Sequence, residues 1–285
     1  MVNLILFPSS FYSTLRVDED LQSEYAAVVA TDLYDVVFFD YHKWFDEGKL
    51  MLSKKPTAMQ KAIMRGWMMK PAQYSSFYKQ LLEQNIELIT TPEEYEQMHI
   101  FPNIYSFFGE DTALMKVYPL HTKIDIIELR KYFTRFMVKD YVKSVKGTEF
   151  PKFFDVSVTQ EEFDEWMKVF YKYRGNLLTG GICIKEFLDL KMYHNKPNEF
   201  RIFYANGEIV SLSRNSGQGN YTEEPDMELI EKYRGLPSKY YTVDMAELVD
   251  GTWKVIEAGD GSVSGLSEFQ DAKQYFRALY YALNE

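Results

Sequence analysis

The sequence predicts a mixed α/β (α+β) fold that begins with a parallel sheet. Residues 2–7 are a short apolar run typical of a buried strand, residues 18–30 repeat apolar side chains at helical spacing, and residues 34–40 indicate a second strand. A strand, a helix and a strand within this short stretch indicate a βαβ unit, whose strands pair in parallel. Two later stretches, 198–214 and 240–257, have the pattern of β-hairpins and add antiparallel sheet.

The remaining elements of the first part of the chain extend this pattern. The first strand is expected to stop at Pro8, and residues 71–84 are predicted to form a helix that begins with proline. Residues 86–89 indicate another strand, and residues 91–94 combine the N-cap threonine, first-turn proline and third-position glutamate of a helix start. Residues 1–112 are therefore predicted to form one α/β domain.

Composition limits the functions that the chain can have. The net charge of −10 argues against a nucleic-acid-binding protein, which needs a basic face to gain affinity from counterion release. The single cysteine, Cys183, cannot form an internal disulfide, which favours a cytoplasmic location. The amino terminus lacks the basic region of a signal peptide, and its apolar run is too short to span a membrane. Four scattered histidines argue against a zinc site.

The hairpin at residues 240–257 carries the strongest candidate for a metal site. Its turn brings the two strands together, so Asp244 and Glu257 can converge on one point, and Asp260 follows in a Gly-Asp-Gly loop. Carboxylates on rigid strands are suitable ligands for Mg²⁺. The alternative is a surface hairpin whose acidic side chains are only solvated.

Positive charge is concentrated in one segment of this acidic protein. Lys139 lies near the end of a predicted strand, and a turn that contains Lys143, Ser144, Lys146 and Gly147 follows it. Lysine is an effective point charge for phosphate, and a loop with lysine, hydroxyl and glycine groups could close over a nucleotide. The alternative is a solvated basic loop.

Two other segments offer candidate ligand-binding groups. Arg65 and Trp67 lie on a predicted loop where Gly66 allows close backbone approach, and arginine suits carboxylate or phosphate, although a surface arginine would have the same sequence. The strand that contains Lys185 leads into an irregular exit, residues 186–188, whose backbone could contact a flat heterocycle.

The hairpin at residues 198–214 turns at an Asn-Gly pair. Period two places Glu199 and Arg201 on one face, and Arg214 lies on the return strand. Arginines inside a β-rich core must be paired or must face a site. Edge-strand salt bridges are the alternative.

In this order, the segments resemble the ATP-grasp superfamily, and specifically the R-2-K clade of ATP-grasp proteins from bacteria and their viruses. The resemblance spans nearly the whole chain and rests on seven motifs: Phe7-Pro-Ser-Ser, Val17-Asp-Glu-Asp-Leu, Val37-Phe-Phe-Asp-Tyr, Arg65-Gly-Trp-Met, Glu94-Tyr…His99…Pro102-Asn, Val138-Lys-Asp-Tyr-Val-Lys-Ser and Val255-Ile-Glu-Ala-Gly-Asp-Gly-Ser-Val-Ser-Gly-Leu. It implies an N-terminal pre-ATP-grasp domain (1–112) and an ATP-grasp domain (113–285) with subdomains of roughly 113–188 and 189–285.

The resemblance also implies ATP and Mg²⁺ as cofactors and assigns roles to individual residues. Many ATP-grasp enzymes have Asn two residues after the metal-binding Glu, whereas this chain has Gly259 there and Asp260 next. The implied roles are phosphate or other nucleotide contacts for Lys139, Lys143, Ser144, Lys185 and Glu199; adenine contacts for Glu186, Phe187 and Leu188; catalysis for Arg201, Arg214 and Lys146; Mg²⁺ binding for Asp244, Glu257 and Asp260; and substrate binding for Arg65 and Trp67.

The implied activity is that of an ADP-forming carboxylate–amine ligase that acts through an acylphosphate. Its acid and amine substrates are amino acids, peptides or a protein, with neither nucleic acid nor a membrane as partner. A second possibility comes from a eukaryotic ATP-grasp family that acts as an assembly factor. In that case the site would bind ATP and Mg²⁺ without ligase turnover, and Trp67 and Met68 would contribute to a partner-binding surface.

Overall fold

The computed structural model describes residues 1–215 and 223–285. Its β-strands are β1 (Val2–Ser10), β2 (Ser13–Val17), β3 (Asp35–Phe39), β4 (Gln60–Met64), β5 (Ile86–Leu88), β6 (Met115–Tyr118), β7 (Arg135–Asp140), β8 (Phe154–Asp155), β9 (Ile182–Glu186), β10 (Met192–Tyr193), β11 (Lys196–Pro197), β12 (Glu199–Ala205), β13 (Glu208–Arg214), β14 (Tyr240–Glu247) and β15 (Trp253–Asp260). Its α-helices are α1 (Gln22–Thr31), α2 (Tyr41–Phe45), α3 (Pro71–Leu82), α4 (Pro92–His99), α5 (Phe101–Ile104), α6 (Ile126–Leu129), α7 (Gln160–Arg174), α8 (Met227–Lys232) and α9 (Ala272–Asn284).

The N-terminal sheet confirms the predicted βαβ arrangement. Strands β3, β1, β4 and β5 lie in that order and pair in parallel, and β2 pairs antiparallel with the end of β1. Contrary to the prediction, β1 does not stop at Pro8. It continues to Ser10 because it exchanges its parallel neighbours for β2 there, and the Pro8 carbonyl accepts the N–H of Asp18 at 3.0 Å.

Helices cover both faces of this sheet. On one face, Leu4 and Leu6 pack with Tyr74 and Phe77 of α3. On the other face, the buried side chains come from the sheet, from α1 and from the C-terminal helix α9, and they include Ile5, Phe7, Val28, Phe276 and Leu279. The last helix of the chain therefore completes the core of the first sheet.

The second sheet has the strand order β6-β9-β7-β8 and is antiparallel. Phe136 and Val138 of β7 pack with Phe163 of α7 in an aromatic core on one face. The alternate position, Lys139, points to the opposite face, which Lys185 of β9 shares. This sheet therefore presents lysines on the face that α7 does not cover.

The third sheet, β13-β12-β14-β15, is antiparallel and contains both predicted hairpins. Its register aligns Arg201 with Asp244, and Asp244 with Glu257, across three neighbouring strands. Directly opposed residues in an antiparallel pair point to the same face, so the three side chains form one charged row. The mixed α/β class predicted from the sequence is confirmed, while the domain limits at residues 112 and 188 stay predictions.

Within the described ranges, no helix has the length and apolar character that a membrane-spanning segment requires.

Gly181, directly before β9, allows a test of the close packing between β9 and its neighbours. A Cβ on Gly181 would lie 2.4 Å from the carbonyl oxygen of Tyr118 and 2.7 Å from the hydroxyl of Tyr141. Since the carbonyl belongs to a strand paired with β9, it cannot move away freely. We expect Gly181→Ala to lower the free energy of unfolding in urea by about 1–3 kcal/mol.

The matched control is Gly235→Ala, because a Cβ at Gly235 meets no heavy atom within 4 Å. We expect this control to change the free energy of unfolding by less than about 0.5 kcal/mol. Equal unfolding midpoints for the two variants would contradict the close approach at Gly181.

Candidate active site

The charged row of the third sheet contains a tight ion pair. Arg201 donates from Nε to Asp244 Oδ1 at 2.8 Å and from Nη2 to Asp244 Oδ2 at 2.6 Å. Burial raises the pKa of the Asp244 carboxyl, and the Arg201 charge opposes this shift. The bidentate geometry fixes both side chains on the face where Glu257 also lies.

The lysines of the second sheet face this row. Lys139 Nζ lies 3.0 Å from Glu257 Oε1, and the Lys185 ammonium donates to the carbonyl oxygen of Ile256 at 2.6 Å. Burial, reinforced by the charge of Lys139, lowers the pKa of Lys185 to about 7. Burial disfavours ionisation of Glu257, but the nearby cations, first among them Lys139, outweigh it and lower the pKa of its carboxyl. The two sheets thus meet through opposite charges.

The loop after β7 is held by a buried acid that sequence reasoning missed. Asp140 is 1% exposed, and its Oδ1 accepts the N–H groups of Val142 at 2.8 Å and Lys143 at 2.7 Å. Its Oδ2 accepts from Arg174 of α7 and from the N–H of Thr179. The available signal was an Asp directly after a strand-end lysine, where it can form an Asx turn.

Asp140 thereby sets the start of the segment with the predicted phosphate-binding groups. Lys143 and Lys146 are exposed, and Ser144 is half-buried. The charge of Lys146 acts on Glu199 of β12, whose carboxyl pKa is raised, chiefly by burial. The structure therefore brings this loop close to the charged row.

The exit from β9 has a fixed backbone. The N–H groups of Glu186 and Phe187 donate to the carbonyl oxygens of Leu114 at 2.8 Å and Arg135 at 3.0 Å. The ring of Phe187 stacks on Phe153 at a centroid distance of 4.4 Å. This segment follows directly from the buried Lys185, so the predicted adenine-binding stretch, which ends at Leu188, begins beside the lysine face.

Glu199 and Arg214, the other predicted site residues of the hairpin β12–β13, differ in position. Glu199 Oε2 accepts from the side chain of Asn215 at 3.2 Å and lies on the same face as Arg201. Arg214 is paired in register with Phe200, one position away from the Arg201 row, and its guanidinium carbon lies 4.4 Å from the ring centroid of Phe269. Because Ser213 is the residue paired with Arg201, Arg214 occupies the alternate face of β13 and not the face of the row.

The structure does not bring Asp260 together with the other two predicted Mg²⁺ ligands. Asp260 is three positions beyond Glu257 on the same strand, and this odd spacing points the two carboxylates to opposite faces. It is fully buried, its Oδ1 accepts the N–H of Ser262 at 2.9 Å, and its Oδ2 has no hydrogen-bond partner among residues 1–215 and 223–285. Burial raises its pKa to about 7.

Arg65 also differs from its prediction as a substrate ligand. It is 1% exposed and binds both carboxylate oxygens of Glu24, at 2.8 and 2.9 Å. Its remaining N–H groups donate to the carbonyl oxygens of Gly261 and Ser264 and to the hydroxyl of Tyr240. A guanidinium has five N–H donors, and all five are used inside the protein, so Arg65 has none left for a substrate.

Trp67, the other predicted substrate residue, is 37% exposed. Its indole N–H donates to Asp18 Oδ2 at 3.0 Å. It therefore lies beside the β1–β2 hairpin of the first sheet and not in the charged row.

The donor set fits a nucleotide with Mg²⁺. Among the described residues, no three His, Cys, Asp or Glu side chains form a group that could hold a metal. Mg²⁺, however, is usually bound by one or two carboxylates together with substrate phosphates. Asp244 and Glu257 supply the carboxylates, and Lys139 and Lys185 supply positive charge opposite them.

Comparison with known proteins identifies the family. Residues 128–279 match the model of the ATP-grasp domain, R-2-K clade family 3. The chain belongs to this ATP-grasp family. ATP and Mg²⁺ are accordingly the cofactors of this ATP-grasp protein. No curated protein sequence matches the chain.

Solved structures share the fold across their whole length. D-cycloserine synthetase DcsG has a TM-score of 0.63 at 13% identity, with 98% of this chain and 99% of that chain covered. The D-alanine-D-alanine ligase from Coxiella burnetii has a TM-score of 0.63 at 11% identity, covering 98% and 93%. The ATP-grasp ligase PsnB, complexed with precursor peptide PsnA2 and AMPPNP, has a TM-score of 0.62 at 10% identity, covering 99% and 99%.

The Arg65–Glu24 pair allows a test of the structural role of Arg65. We expect Arg65→Ala to lower the free energy of unfolding by about 3–5 kcal/mol, because it leaves the Glu24 charge buried without a partner. The measurement is urea unfolding at neutral pH. The exposed Arg16→Ala is the control, with an expected change below about 0.5 kcal/mol.

The double variant Arg65→Met, Glu24→Leu removes both charges and should recover most of that loss. If Arg65→Ala instead left stability unchanged and weakened only substrate binding, the original assignment of Arg65 as a ligand would be restored.

Asp260 gives a pH test. Folding raises its pKa from an ordinary value of 3.8 to about 7, so the folded protein holds a proton that the unfolded chain has lost between these values. Stability from this group is complete below about pH 4 and decreases as the pH rises toward 7. We expect Asp260→Asn to match the wild type in urea unfolding near pH 3.5, below the ordinary pKa of the carboxyl, and to be more stable by several kcal/mol near pH 8.

A matched control is Asp32→Asn, since Asp32 is exposed. Its difference from the wild type should not grow between the two pH values. If Asp260→Asn changed the free energy of unfolding equally at both pH values, Asp260 would ionise in the folded protein as it does in the unfolded chain.

Proposed function

We propose that the chain is an ATP-dependent, ADP-forming ligase that joins a carboxylate to an amine through an acylphosphate. One observation carries the proposal: the lysines of the second sheet, Lys139 and Lys185, lie opposite the row Arg201–Asp244–Glu257. Positive charge for phosphates, carboxylates for a metal ion and an arginine for an anionic substrate thus face one another where the two sheets meet. Such a set suits phosphoryl transfer to a carboxylate.

We assign roles from this placement. Lys139, Lys143 and Lys146 neutralise phosphate charge, with Ser144 donating from the same loop, while Asp244 and Glu257 would hold Mg²⁺. The remaining nucleotide contacts come from Lys185, Glu199 and the segment Glu186, Phe187 and Leu188. Because the N–H groups of Glu186 and Phe187 are already donated within the protein, adenine recognition falls to other groups of this segment, such as the Glu186 carbonyl.

The reaction consists of two displacements. A carboxylate oxygen of the first substrate attacks the γ-phosphorus of ATP, ADP leaves, and an acylphosphate forms. The amine of the second substrate then attacks the acyl carbon, phosphate leaves, and the amine proton is released. Mg²⁺, when bound, neutralises charge on the transferring and leaving phosphates. The protein contributes mainly positioning and fixed charge, and we assign to Arg201 the stabilisation of the anionic substrate or the developing oxyanion. We assign no contact with the reacting groups to Arg214, because its register position is on the alternate face of β13.

The solved relatives support this class of reaction and indicate a range of substrates. Their names include a D-alanine-D-alanine ligase and a ligase bound to a precursor peptide. The substrates proposed for this chain are accordingly an amino acid, a peptide or a protein, handled in the cytoplasm. Since Arg65 is fully occupied, we assign no substrate contact to it.

The proposal predicts that Glu257→Gln and Asp244→Asn each lower magnesium-dependent, acceptor-stimulated ADP release by about a hundredfold to a thousandfold. Saturating ATP with Mg²⁺, at about a hundred times Kd, should stabilise the wild type by about 2.7 kcal/mol in thermal unfolding. The variants should lose most of that magnesium-dependent shift. Glu161→Gln, on the exposed side of α7, is a control that keeps both properties.

Hydroxylamine added during turnover should trap the acylphosphate as a hydroxamate. Magnesium-dependent turnover that persists in both carboxylate variants would contradict the assignment of Asp244 and Glu257 as metal ligands. ATP binding without ADP release for any amino-acid or peptide acceptor would instead favour the assembly factor without turnover.

A further inference from the structure

The hairpin between β1 and β2 presents apolar side chains to solvent. Phe11, Tyr12 and Leu15 are 62%, 87% and 73% exposed. Phe11 contacts Tyr12 and His42 edge-on, at centroid distances of 5.2 and 4.2 Å, and its other side remains accessible. Large exposed apolar side chains grouped together mark sites of interaction. We call these three residues the tip.

A groove lies between the tip and helix α2. It has a volume of about 430 Å³, and its wall opposite the tip consists of Asp40, His42, Lys43 and Glu47. Lys43 and His42 are each paired with an acid one helical turn away, Glu47 and Asp46. The groove therefore combines apolar surface from the tip with a wall whose basic side chains are already paired with acids.

Carboxylates surround the tip without cationic partners. Within the described residues, none of Asp18, Glu19, Asp20 or Asp40 forms a salt bridge. Glu19 Oε1 accepts from Ser10 Oγ at 2.5 Å, and this bond lowers its carboxyl pKa, so Glu19 is ionised at neutral pH. The local charge is negative and complements a cationic partner.

A chain of hydrogen bonds connects the segment after β2 with the loop that follows β15. Asp18, at the end of β2, accepts the indole N–H of Trp67, and Gly66 donates to the carbonyl of Ser262 at 3.0 Å. Ser262 follows strand β15, which carries Glu257. Trp67 and Met68 are 37% and 40% exposed, so partly exposed apolar groups lie between the hairpin and that loop.

We propose that the tip and its carboxylates dock a segment of the polypeptide substrate in which lysine or arginine lies beside apolar side chains. The apolar side chains pack on Phe11 and Leu15 and in the groove, and the cations pair with Glu19 and Asp20. The identification of this polypeptide as the substrate rests on the proposed function. Docking itself requires neither nucleotide nor turnover.

The test is direct binding without nucleotide. The probe is a short fluorescein-labelled peptide in which lysine alternates with leucine and phenylalanine, and fluorescence polarisation measures its affinity for the full chain. We expect the tip variant, with Phe11, Tyr12 and Leu15 each replaced by Ser, to bind at least about tenfold more weakly. The acid variant, Glu19→Gln with Asp20→Asn, should also bind more weakly and should lose most of the salt dependence.

Matched controls separate docking from general attraction to an acidic protein. Leu177→Ser with Val249→Ser removes exposed apolar side chains elsewhere, and Glu161→Gln with Glu162→Gln removes two exposed charges from α7. Both controls should keep wild-type affinity. Peptides with glutamate in place of lysine, or with serine in place of the apolar residues, should bind at least about tenfold more weakly.

Three outcomes would overturn the docking proposal. The first is that the wild type does not bind the probe. The second is that the wild type, the tip variant and the acid variant bind it equally. The third is that sedimentation shows a wild-type dimer which the tip variant loses while its affinity for the probe is unchanged. The acid variant leaves the apolar tip intact, so it tests the surface even if the tip variant folds poorly. Probe binding at the tip by a protein that shows no ATP-dependent turnover would reject the ligase function, but it would leave the docking proposal intact.

Discussion

The candidate site depends on one register of the third sheet. Arg201, Asp244 and Glu257 occupy matched positions on β12, β14 and β15, and a shift of a single residue would turn one of them to the other face. The hairpin turns fix the registers of β12 with β13 and of β14 with β15, whereas Arg201 is aligned with Asp244 by the pairing of β12 with β14 between the two hairpins. The lysine face of the second sheet then meets a row of fixed geometry, through the contacts of Lys139 and Lys185.

These charges stabilise one another unequally. Burial makes ionisation costly for Asp244, Lys185 and Glu257, and only near neighbours of opposite charge reduce that cost. Glu257 has enough of them to lower its carboxyl pKa, whereas Lys185 also meets the like charge of Lys139 and its pKa falls to about 7. A site that balances opposite charges in a low dielectric responds strongly when phosphates and a metal ion enter it.

Sequence reasoning predicted that Asp244 and Glu257 converge, because period two and a hairpin turn act over short distances, but it did not predict that Arg201 pairs with Asp244 between the two hairpins. The same period shows why Asp260 cannot join Glu257: an odd separation reverses the face, so this error could have been avoided. Arg65 is different. Its partners Glu24, Tyr240, Gly261 and Ser264 are distant in sequence, and no local pattern distinguishes an arginine that binds them from one that binds a substrate.

Two arginines from different sheets hold the loop that follows β15. Arg65 donates to the carbonyl of Ser264 at 2.8 Å, and Arg201 donates to the carbonyl of Gly265 at 3.0 Å. A guanidinium keeps its charge at any physiological pH, so these bonds do not weaken as the pH changes. Asp260, in contrast, has a pKa of about 7 and lies under the same loop. The loop is therefore held by two groups that do not titrate, above a buried carboxyl that does.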